Sequence, residues 1–282
     1  MAAAALLTSF ACGGSSPHGP SGARAPVTFT VMTFNIQHGI DLNGRYNLQN
    51  AVGVIARVQP DIVGLQEVTR NHPSYACDDQ PARIADALQS ATATRWAVDY
   101  EQEWFTPDVS CQQSGRGDGR ETEGLVLLTK RTMAQPKMLP LVDSRIGMET
   151  TLADAYNVPI AVTHLTSGAA GSGMRAQQAA QLAAWLNGFG DPRIVIGDFN
   201  AAPGAPELQP VAASYHDAWQ DGAAAGRASG NANSHGTARI DYIFFRPGSS
   251  LTLDSVSVID TAPIVGVQAS DHSPVLATFT IR

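Results

Sequence analysis

Residues 27–67 read VTFTVMTFNIQHGIDLNGRYNLQNAVGVIARVQPDIVGLQE, and they predict a strand, a helix and a second strand in succession. Val27–Asn35 alternates apolar residues with threonine, which is typical of a strand. A helix is predicted next, with Asn47 as its N-cap, Pro60 as its stop and apolar residues at 3.6-residue spacing: Leu48, Ala51, Val52, Ile55 and Val58. Asp61–Glu67 then predicts a short buried strand.

The rest of the chain continues this alternation and contains more strand than helix. Two further helices are predicted at residues 81–88 and 174–189. Further strands are predicted at residues 96–100, 124–129, 159–164, 194–198, 240–245, 251–259 and 275–281. No repeat of about 20 to 50 residues occurs, which excludes solenoids and propellers. The expected fold class is α/β, with two packed β-sheets flanked by helices.

Length and composition indicate one compact domain at residues 27–282, which we expect to be a monomer. The chain has 282 residues, of which 44% are hydrophobic and 15% charged, and no linker-like segment interrupts it after residue 26. The formal net charge is −7, and no run of Lys or Arg indicates a nucleic-acid groove. This charge weakens a nuclease assignment but leaves a nucleic-acid substrate open.

Residues 1–26 resemble an export segment followed by a flexible tether. Met1–Cys12 is almost wholly apolar, Gly13–Pro26 is polar, and Cys12 is a candidate lipid-attachment site that would anchor the protein to a membrane. The expected location is therefore periplasmic, cell-surface or secreted. Because no Lys or Arg precedes Arg24, a frayed alanine-rich terminus is the alternative. Beyond Cys12 only Cys77 and Cys111 remain, and we expect them to form a disulfide in an oxidising compartment.

Polar side chains stand at the ends of four apolar, strand-like segments: Asn35, Glu67, His164 and Asp198. A sheet can hold such residues together at one edge, where a charged cluster is less costly than in the core. Two later segments add further polar candidates: Arg239, Asp241, Ser270, Asp271 and His272. The oxygen donors of Asn35, Glu67 and Asp271 favour Mg²⁺, with Mn²⁺ as the second candidate. Motifs of zinc proteases, serine hydrolases and P-loop proteins do not occur.

These segments resemble motifs of the endonuclease/exonuclease/phosphatase superfamily, in the family's order. They are TFNI around Asn35, LQEV around Glu67, VTHL around His164, GDFN at residues 197–200, RIDYI at residues 239–243 and SDH at residues 270–272. The resemblance implies a four-layer α/β-sandwich in which Glu67 is the main metal ligand and Asn35 lies beside it. It also implies a divalent-metal-dependent phosphoesterase.

The resemblance further implies the roles of the remaining polar residues. Asp198 and Asn200 would orient the phosphate or the attacking water. His272, held by Asp241, would act as general base or as a phosphate-binding cation. His164 would stabilise the developing charge or protonate the leaving oxygen, and Glu123 is a candidate to orient it. His38, Arg239 and Ser270 are assigned to substrate binding.

Several of these assignments have structural alternatives. His38 is alternatively a turn residue, Arg239 a surface strand residue and Glu123 a solvated loop acid. His72, His216 and His235 are expected to be solvated. The expected substrate is a small or lipid phosphodiester, with an extracellular nuclease as the second choice. A binding protein that keeps the fold without catalysis is the alternative from another functional class.

Overall fold

The computed structural model describes residues 25–107 and 109–282, so the predicted export segment and Cys12 lie outside the described residues. The first half contains β1 Val27–Asn35, α1 Leu48–Val58, β2 Ile62–Arg70, α2 Gln80–Thr92, β3 Ala97–Pro107, α3 Ser110–Gln113, β4 Arg120–Thr129, β5 Lys137–Pro140 and β6 Ile146–Leu152. The second half contains β7 Val158–His164, α4 Ser172–Leu186, β8 Arg193–Asp198, α5 Gln209–Ala212, β9 His216–Asp217, α6 Ala218–Ala224, β10 Ala228–Ser229, β11 Asp241–Arg246, β12 Leu251–Val258, α7 Ala262–Val265 and β13 Val275–Ile281.

In the part of the chain that the structure describes, the strands form two mixed sheets. The first has seven strands in the order β10-β12-β13-β1-β2-β4-β3, and the second has six in the order β5-β6-β7-β8-β11-β9. In the described residues three pairs are parallel. Two of them are joined by helical crossovers, β1 with β2 through α1 and β7 with β8 through α4, and the third is β10 with β12. The carboxyl ends of β1, β7 and β8 carry polar residues that the sequence analysis selected.

Three hydrophobic cores separate four layers, which confirms the predicted α/β-sandwich. The central core lies between the sheets and contains Val31 and Leu127 from the first sheet and Ile160 and Ile196 from the second. A second core packs α1 and α2 on the outer face of the first sheet, and a third packs α4 and α5 on the outer face of the second. Gly64 permits the close approach of the sheets, because a Cβ there would lie 2.7 Å from Val162 Cγ2.

The structure differs from the predicted elements mainly at β5 and β6, which the sequence analysis missed. The β6 sequence IGMETTL contains polar residues that interrupt its apolar pattern, yet Glu149 and Thr150 are both buried. Their polar atoms are satisfied locally, since Thr150 Oγ1 donates to Ala134 O and Glu149 Oε1 accepts from Thr151 Oγ1. Burial of polar groups with hydrogen-bond partners therefore hides this strand from a pattern of hydrophobicity.

Cys77 and Cys111 form a disulfide in the structure, with their Cα atoms 5.5 Å apart. The bond joins the segment after β2 to the short helix α3. Among residues 25–107 and 109–282, no helix has both the length and the apolar character needed to cross a membrane.

Candidate active site

The polar strand ends converge at one edge of the sandwich. Asn35 ends β1, while His164 and Asp198 end the parallel neighbours β7 and β8 and are partners in their ladder. Asp241 begins β11, which runs antiparallel to β8 and pairs Asp241 with Asp198. Because strand direction and side-chain position agree in this way, residues distant in sequence meet at a single site.

The backbone at this edge takes left-handed conformations at three predicted site residues. Glu67 has a φ of 54° and lies where the β2–β4 register shifts, so a β-bulge directs its side chain. His38 and Asn200 have φ values of 57° and 50°. Such conformations are uncommon for residues other than glycine and concentrate at functional sites. Gly197 is also required here, because a Cβ would lie 2.0 Å from the carbonyl oxygen of Thr163.

Asn35 holds two carboxylates together. Its Nδ2 donates to Glu67 Oε1 at 2.9 Å and to Asp198 Oδ2 at 3.1 Å. Its Oδ1 accepts the backbone N–H of Gln37 at 3.0 Å. In this arrangement Asn35 presents donors to the site, so its role as a metal ligand stays a prediction, whereas its contact with Glu67 follows the predicted proximity.

His38 lies against Glu67 and Glu123 rather than in an isolated turn. Its Nε2 is 3.4 Å from Glu67 Oε2 and its Nδ1 is 3.6 Å from Glu123 Oε2, while its ring stacks on Tyr75 at 5.0 Å. Burial lowers the pKa of His38, although Glu67 opposes this shift. Burial and then Glu67 raise the pKa of Glu123 to about 7. Glu123 is a buried residue of β4, so the solvated-loop alternative is wrong.

His164 is buried and contacts an ion pair between the partly buried Arg145 and the buried Glu103. Arg145 Nη1 lies 3.0 Å from His164 Nδ1 and 2.8 Å from Glu103 Oε2. Burial, together with Arg145, holds the pKa of His164 well below its ordinary value. Burial raises the pKa of Glu103 to about 8, against the opposing effect of Arg145. Glu123, the candidate to orient His164, is not the hydrogen-bond partner of its Nδ1, because Arg145 occupies that position; Glu123 contacts His38 and lies 4.0 Å from Arg145 Nη1.

His272 and Asp241 form the predicted pair. The Nδ1–H of His272 donates to Asp241 Oδ2 at 2.8 Å. Burial acts to lower the pKa of His272, but Asp241 and then Asp198 raise it to about 10. His272 Nε2 lies 3.7 Å from Asp198 Oδ2. Burial and then Asp241 raise the pKa of Asp198 to about 7.

Asn200 and Ser270 support these groups through hydrogen bonds. The backbone N–H of Asn200 donates to Asp198 Oδ1 at 2.8 Å, and its side-chain Nδ2 donates to Leu165 O at 3.0 Å. Ser270 Oγ accepts the backbone N–H of His272 at 3.1 Å and donates to Asp271 Oδ1 at 3.2 Å. The contacts of Ser270 thus fix the turn that carries His272, and substrate binding by Ser270 stays a prediction.

The contacts of Asp271 and Arg239 are with residues other than Glu67. Asp271 Oδ2 lies 3.6 Å from His235 Nε2, and its Oδ1 lies 4.0 Å from His272 Nε2. Arg239 is buried and pairs its Nη2 with Asp217 Oδ2 at 2.7 Å, so the surface-residue alternative is wrong. These contacts account for Arg239 without a substrate.

A comparison with known protein families gave a match over the part of the chain that contains these site residues. The sequence model of the family described as "Endonuclease/Exonuclease/phosphatase family" matches residues 32–272, which is most of the chain. The chain belongs to this family. Its members are metal-dependent hydrolases that act on phosphoester bonds. A comparison with curated proteins gave no match.

Three solved structures with the same fold, from different organisms, are given as examples. An endonuclease/exonuclease/phosphatase from Beutenbergia cavernae DSM 12333 has a TM-score of 0.67 and 19% identity, over 90% of this chain and 72% of that one. The human Nocturnin catalytic domain with bound sulfate anion has a TM-score of 0.65 and 21% identity, over 92% and 98%. A humanized D. rerio TDP2 has a TM-score of 0.62 and 18% identity, over 89% and 98%.

Sequence reasoning missed three residues at this family site: Glu103, Arg145 and His235. Glu103 lies in β3 where the register with β4 shifts, and Arg145 directly precedes β6, which was not predicted. His235 was expected to be solvated, but its ring lies 4.5 Å from that of His272. The only sequence signal for Glu103 and Arg145 is an isolated charge beside an apolar segment, which is too common to select them.

The side chains fit a hard divalent cation. Glu67, Asp198 and Asp271 offer carboxylate oxygens, and the two cysteines of the described part are joined to each other, so neither supplies a thiolate. Among residues 25–107 and 109–282, three groups have ligand atoms within 4.8 Å of one another: His235–Asp271–His272, Glu103–Glu123–His164 and Asp198–Asp241–His272. Burial is the main cause of the raised pKa values of Asp198 and Glu123, and a neighbouring carboxylate adds to each, so a bound cation would stabilise their charged forms.

Proposed function

We propose that the protein is a divalent-metal-dependent phosphodiesterase that uses water as the nucleophile. One observation carries the proposal: Asp198 Oδ2 lies 3.7 Å from both His164 Nε2 and His272 Nε2 and 3.1 Å from Asn35 Nδ2. Two histidines, an amide and a carboxylate thus converge beside Glu67. Phosphoryl transfer depends on such positioning and on neutralisation of charge around the phosphorus.

The side chains divide the work as follows. Asp198, with a pKa of about 7, is the carboxylate that accepts a proton from the attacking water, and Asn200 and Asn35 fix its orientation. His272 is held as a cation by Asp241 and binds the negative phosphoryl oxygens. His164 directs its Nε2 into the same space and donates to phosphate or to the leaving oxygen.

Glu67 is the proposed main holder of the cation, with Asn35 and Asp271 as its further proposed ligands, and we expect the cation to be Mg²⁺, with Mn²⁺ as the second candidate. A bound cation would supply neutralisation of phosphoryl oxygens and orientation of the substrate. The oxygen-rich donor set supports this choice.

The favoured substrate is a small or lipid phosphodiester, and an extracellular nuclease is second. The net charge of −7 and the absence of a basic run support this order. We also propose that the protein is exported and monomeric. The Cys77–Cys111 disulfide supports an oxidising location, and the N-terminal sequence supports membrane attachment through Cys12.

The test is turnover of bis-p-nitrophenyl phosphate after EDTA treatment and after readdition of Mg²⁺, Mn²⁺ or Ca²⁺. We expect turnover only with added metal. A parallel screen of plasmid DNA, RNA, sphingomyelin, phosphatidylinositol and small phosphomonoesters then separates the substrate classes. His216→Ala is the matched histidine control, because His216 is exposed and pairs with Asp221. Absence of turnover with every substrate and metal would favour a non-catalytic binding protein.

A further inference from the structure

A tight hairpin turn places Arg145 at the site. The turn joins β5 to β6, and Asp143 and Ser144 at its tip have φ values of 60° and 56°. Successive positive φ values are the conformation that favours close two-stranded hairpins. The backbone N–H of Leu141 donates to Arg145 O at 2.7 Å and closes the turn. Arg145 thus emerges from a defined backbone rather than from a loose loop.

The same turn is anchored to the segment that follows His164. Thr166 Oγ1 donates to Asp143 Oδ2 at 2.8 Å. Two glutamines of α4 hold the turn from the other side, because Gln178 Nε2 donates to Val142 O at 2.9 Å and Gln181 Oε1 accepts the N–H of Val142 at 3.0 Å. These hydrogen bonds fix the position of the turn relative to His164, so the contact between Arg145 and His164 is built into the fold.

Only one assignment of donor and acceptor is possible for the contact between Arg145 and His164. A guanidinium has only donors, so Nδ1 of His164 must accept the hydrogen bond from Arg145 Nη1 at 3.0 Å. When Nδ1 of an uncharged imidazole accepts, the ring proton resides on Nε2. That Nε2 faces Asp198 Oδ2 at 3.7 Å and Glu67 Oε1 at 4.0 Å. The proton on His164 is therefore directed into the site.

We propose that Arg145 is a positioning residue that fixes His164 as the Nε2–H tautomer, with Glu103 as the counter-charge that keeps Arg145 in place. This inference rests on the proposed function for its catalytic consequence but not for its structural content. Under it, His164 acts as an uncharged hydrogen-bond donor to the phosphate, since Arg145 occupies the nitrogen that would otherwise take a second proton. Charge neutralisation would then come from His272 and from a bound cation.

Glu103 fits the supporting role because it is almost completely buried. Its Oε2 accepts from Arg145 Nη1 at 2.8 Å and lies 3.8 Å from His164 Nδ1. Arg145 is partly buried, and the other carboxylate near its Nη1, Glu123 Oε1, is farther away at 4.0 Å, so removal of the charge of Glu103 should loosen Arg145 and with it the orientation of His164. Glu103→Gln is therefore expected to change the His164 tautomer and kcat in the same direction as Arg145→Met, but by a smaller amount.

The direct test is the tautomer of His164, read from ¹⁵N–¹H correlation spectra of its imidazole in the full-length protein with Mg²⁺ added; His164→Gln assigns the signal. We expect the Nε2–H form in the wild-type protein and a mixture of tautomers in Arg145→Met. Arg145→Lys should retain the Nε2–H form, because an ammonium group also only donates. Arg131→Met is the matched control, since Arg131 is a partly buried arginine paired with Asp154 at 3.0 Å.

Turnover of bis-p-nitrophenyl phosphate gives the second measurement. Arg145→Met should lower kcat at least about tenfold with a smaller change in KM, because loss of an orienting partner typically costs about 10- to 100-fold. Arg145→Lys should recover part of kcat. An Nδ1–H or doubly protonated His164 in the wild-type spectrum would overturn the inference, even if no variant folded. The Nε2–H form without turnover would contradict the proposed function instead, and leave the tautomer assignment supported.

Discussion

His164 and His272 are two buried histidines at the same carboxylate, and they differ in charge. Each places Nε2 3.7 Å from Asp198 Oδ2. The pKa of His164 is held well below its ordinary value by burial and Arg145, whereas Asp241 and Asp198 overcome burial and raise that of His272 to about 10. The partner of the remote Nδ1 atom therefore decides the charge that a histidine presents to the site.

This difference allows the two rings to act on one phosphate together. Two imidazolium ions facing the same carboxylate would repel each other, and the charge of His272 already contributes to the lowered pKa of His164. One cation and one uncharged donor avoid this repulsion. The half of the site around His272 thus supplies positive charge, while the half around His164 and Glu67 supplies a directed hydrogen bond and ligands for the cation.

The largest expected effects come from removing either histidine. His272→Ala and His164→Ala should each lower turnover by at least about 10²-fold, since charge-stabilising and proton-transferring groups contribute about that much. Steady-state kinetics with bis-p-nitrophenyl phosphate measures the loss, and far-UV circular dichroism checks the fold. His216→Ala should retain wild-type turnover. Wild-type turnover in both active-site variants would remove them from the mechanism.

A smaller effect on activity is expected from substitution of Glu67, the proposed main ligand of the cation. Glu67→Gln should raise the Mg²⁺ concentration for half-maximal activity by at least about tenfold, because a charged oxygen ligand becomes neutral. The measurement is a Mg²⁺ titration of turnover in metal-depleted protein. Asp86→Asn, which removes one negative charge at an exposed position of α2, is the control for altered net charge. An unchanged titration for Glu67→Gln would exclude Glu67 from the cation site.

The two halves of the site were not equally accessible to sequence analysis. Asp241 and His272 lie in recognisable motifs, and their predicted contact is present at 2.8 Å. The partner of His164 could not be predicted, because Arg145 follows an unpredicted hairpin and its approach depends on positive φ values at Asp143 and Ser144. Strand periodicity predicts which residues share an edge, but it carries no information about turn geometry.

The same limit applies beyond the histidines. The layers and the strand-end positions of Asn35, His164 and Asp198 follow from apolar pattern and motif order, whereas Glu67, predicted to end its strand, lies inside β2. The Glu67 backbone depends on a β-bulge, and the buried state of Glu103 depends on a register shift between β3 and β4. Both are consequences of tertiary packing, which a one-dimensional pattern does not encode.

The charge of His272 can be tested without catalysis. Asp241→Asn should lower the pKa of His272 from about 10, because the largest raising influence is removed while burial continues to lower it. A raised folded-state pKa stabilises the fold fully below the unfolded value of 6.5, and this stabilisation is lost as pH rises through about 10. The difference in unfolding free energy between wild type and Asp241→Asn should therefore shrink across that interval.

Urea denaturation of EDTA-treated protein at several pH values across this interval measures the difference, and ¹⁵N titration of His272 measures the pKa directly. Thr252→Val, at an exposed position of β12, is the control, and no change in pH dependence is expected there. A difference in free energy that stays constant with pH would contradict a charge interaction between Asp241 and His272.

The smallest effect on the chemistry is expected from the disulfide, which touches only the half of the site around Glu67. Cys77 follows Tyr75, whose ring stacks on His38 at 5.0 Å, and Cys111 fixes this segment to α3. Cys77→Ala/Cys111→Ala should lower the unfolding free energy by about 3–4 kcal/mol in the chain-entropy model for a separation of 34 residues. Urea denaturation measures this loss.

The kinetic consequence of that double substitution separates the two halves. A loosened Tyr75 should weaken the placement of His38 and raise KM, while kcat and the pKa of His272 stay unchanged, because Asp241 and Asp198 set that pKa from β11 and β8. The measurements are steady-state kinetics and the ¹⁵N titration of His272. A shifted pKa of His272 would show that the half of the site around Glu67 and the half around His272 are coupled. Two reactive thiols at Cys77 and Cys111 in the unfolded, unreduced wild-type protein would refute the disulfide itself, since paired cysteines do not react.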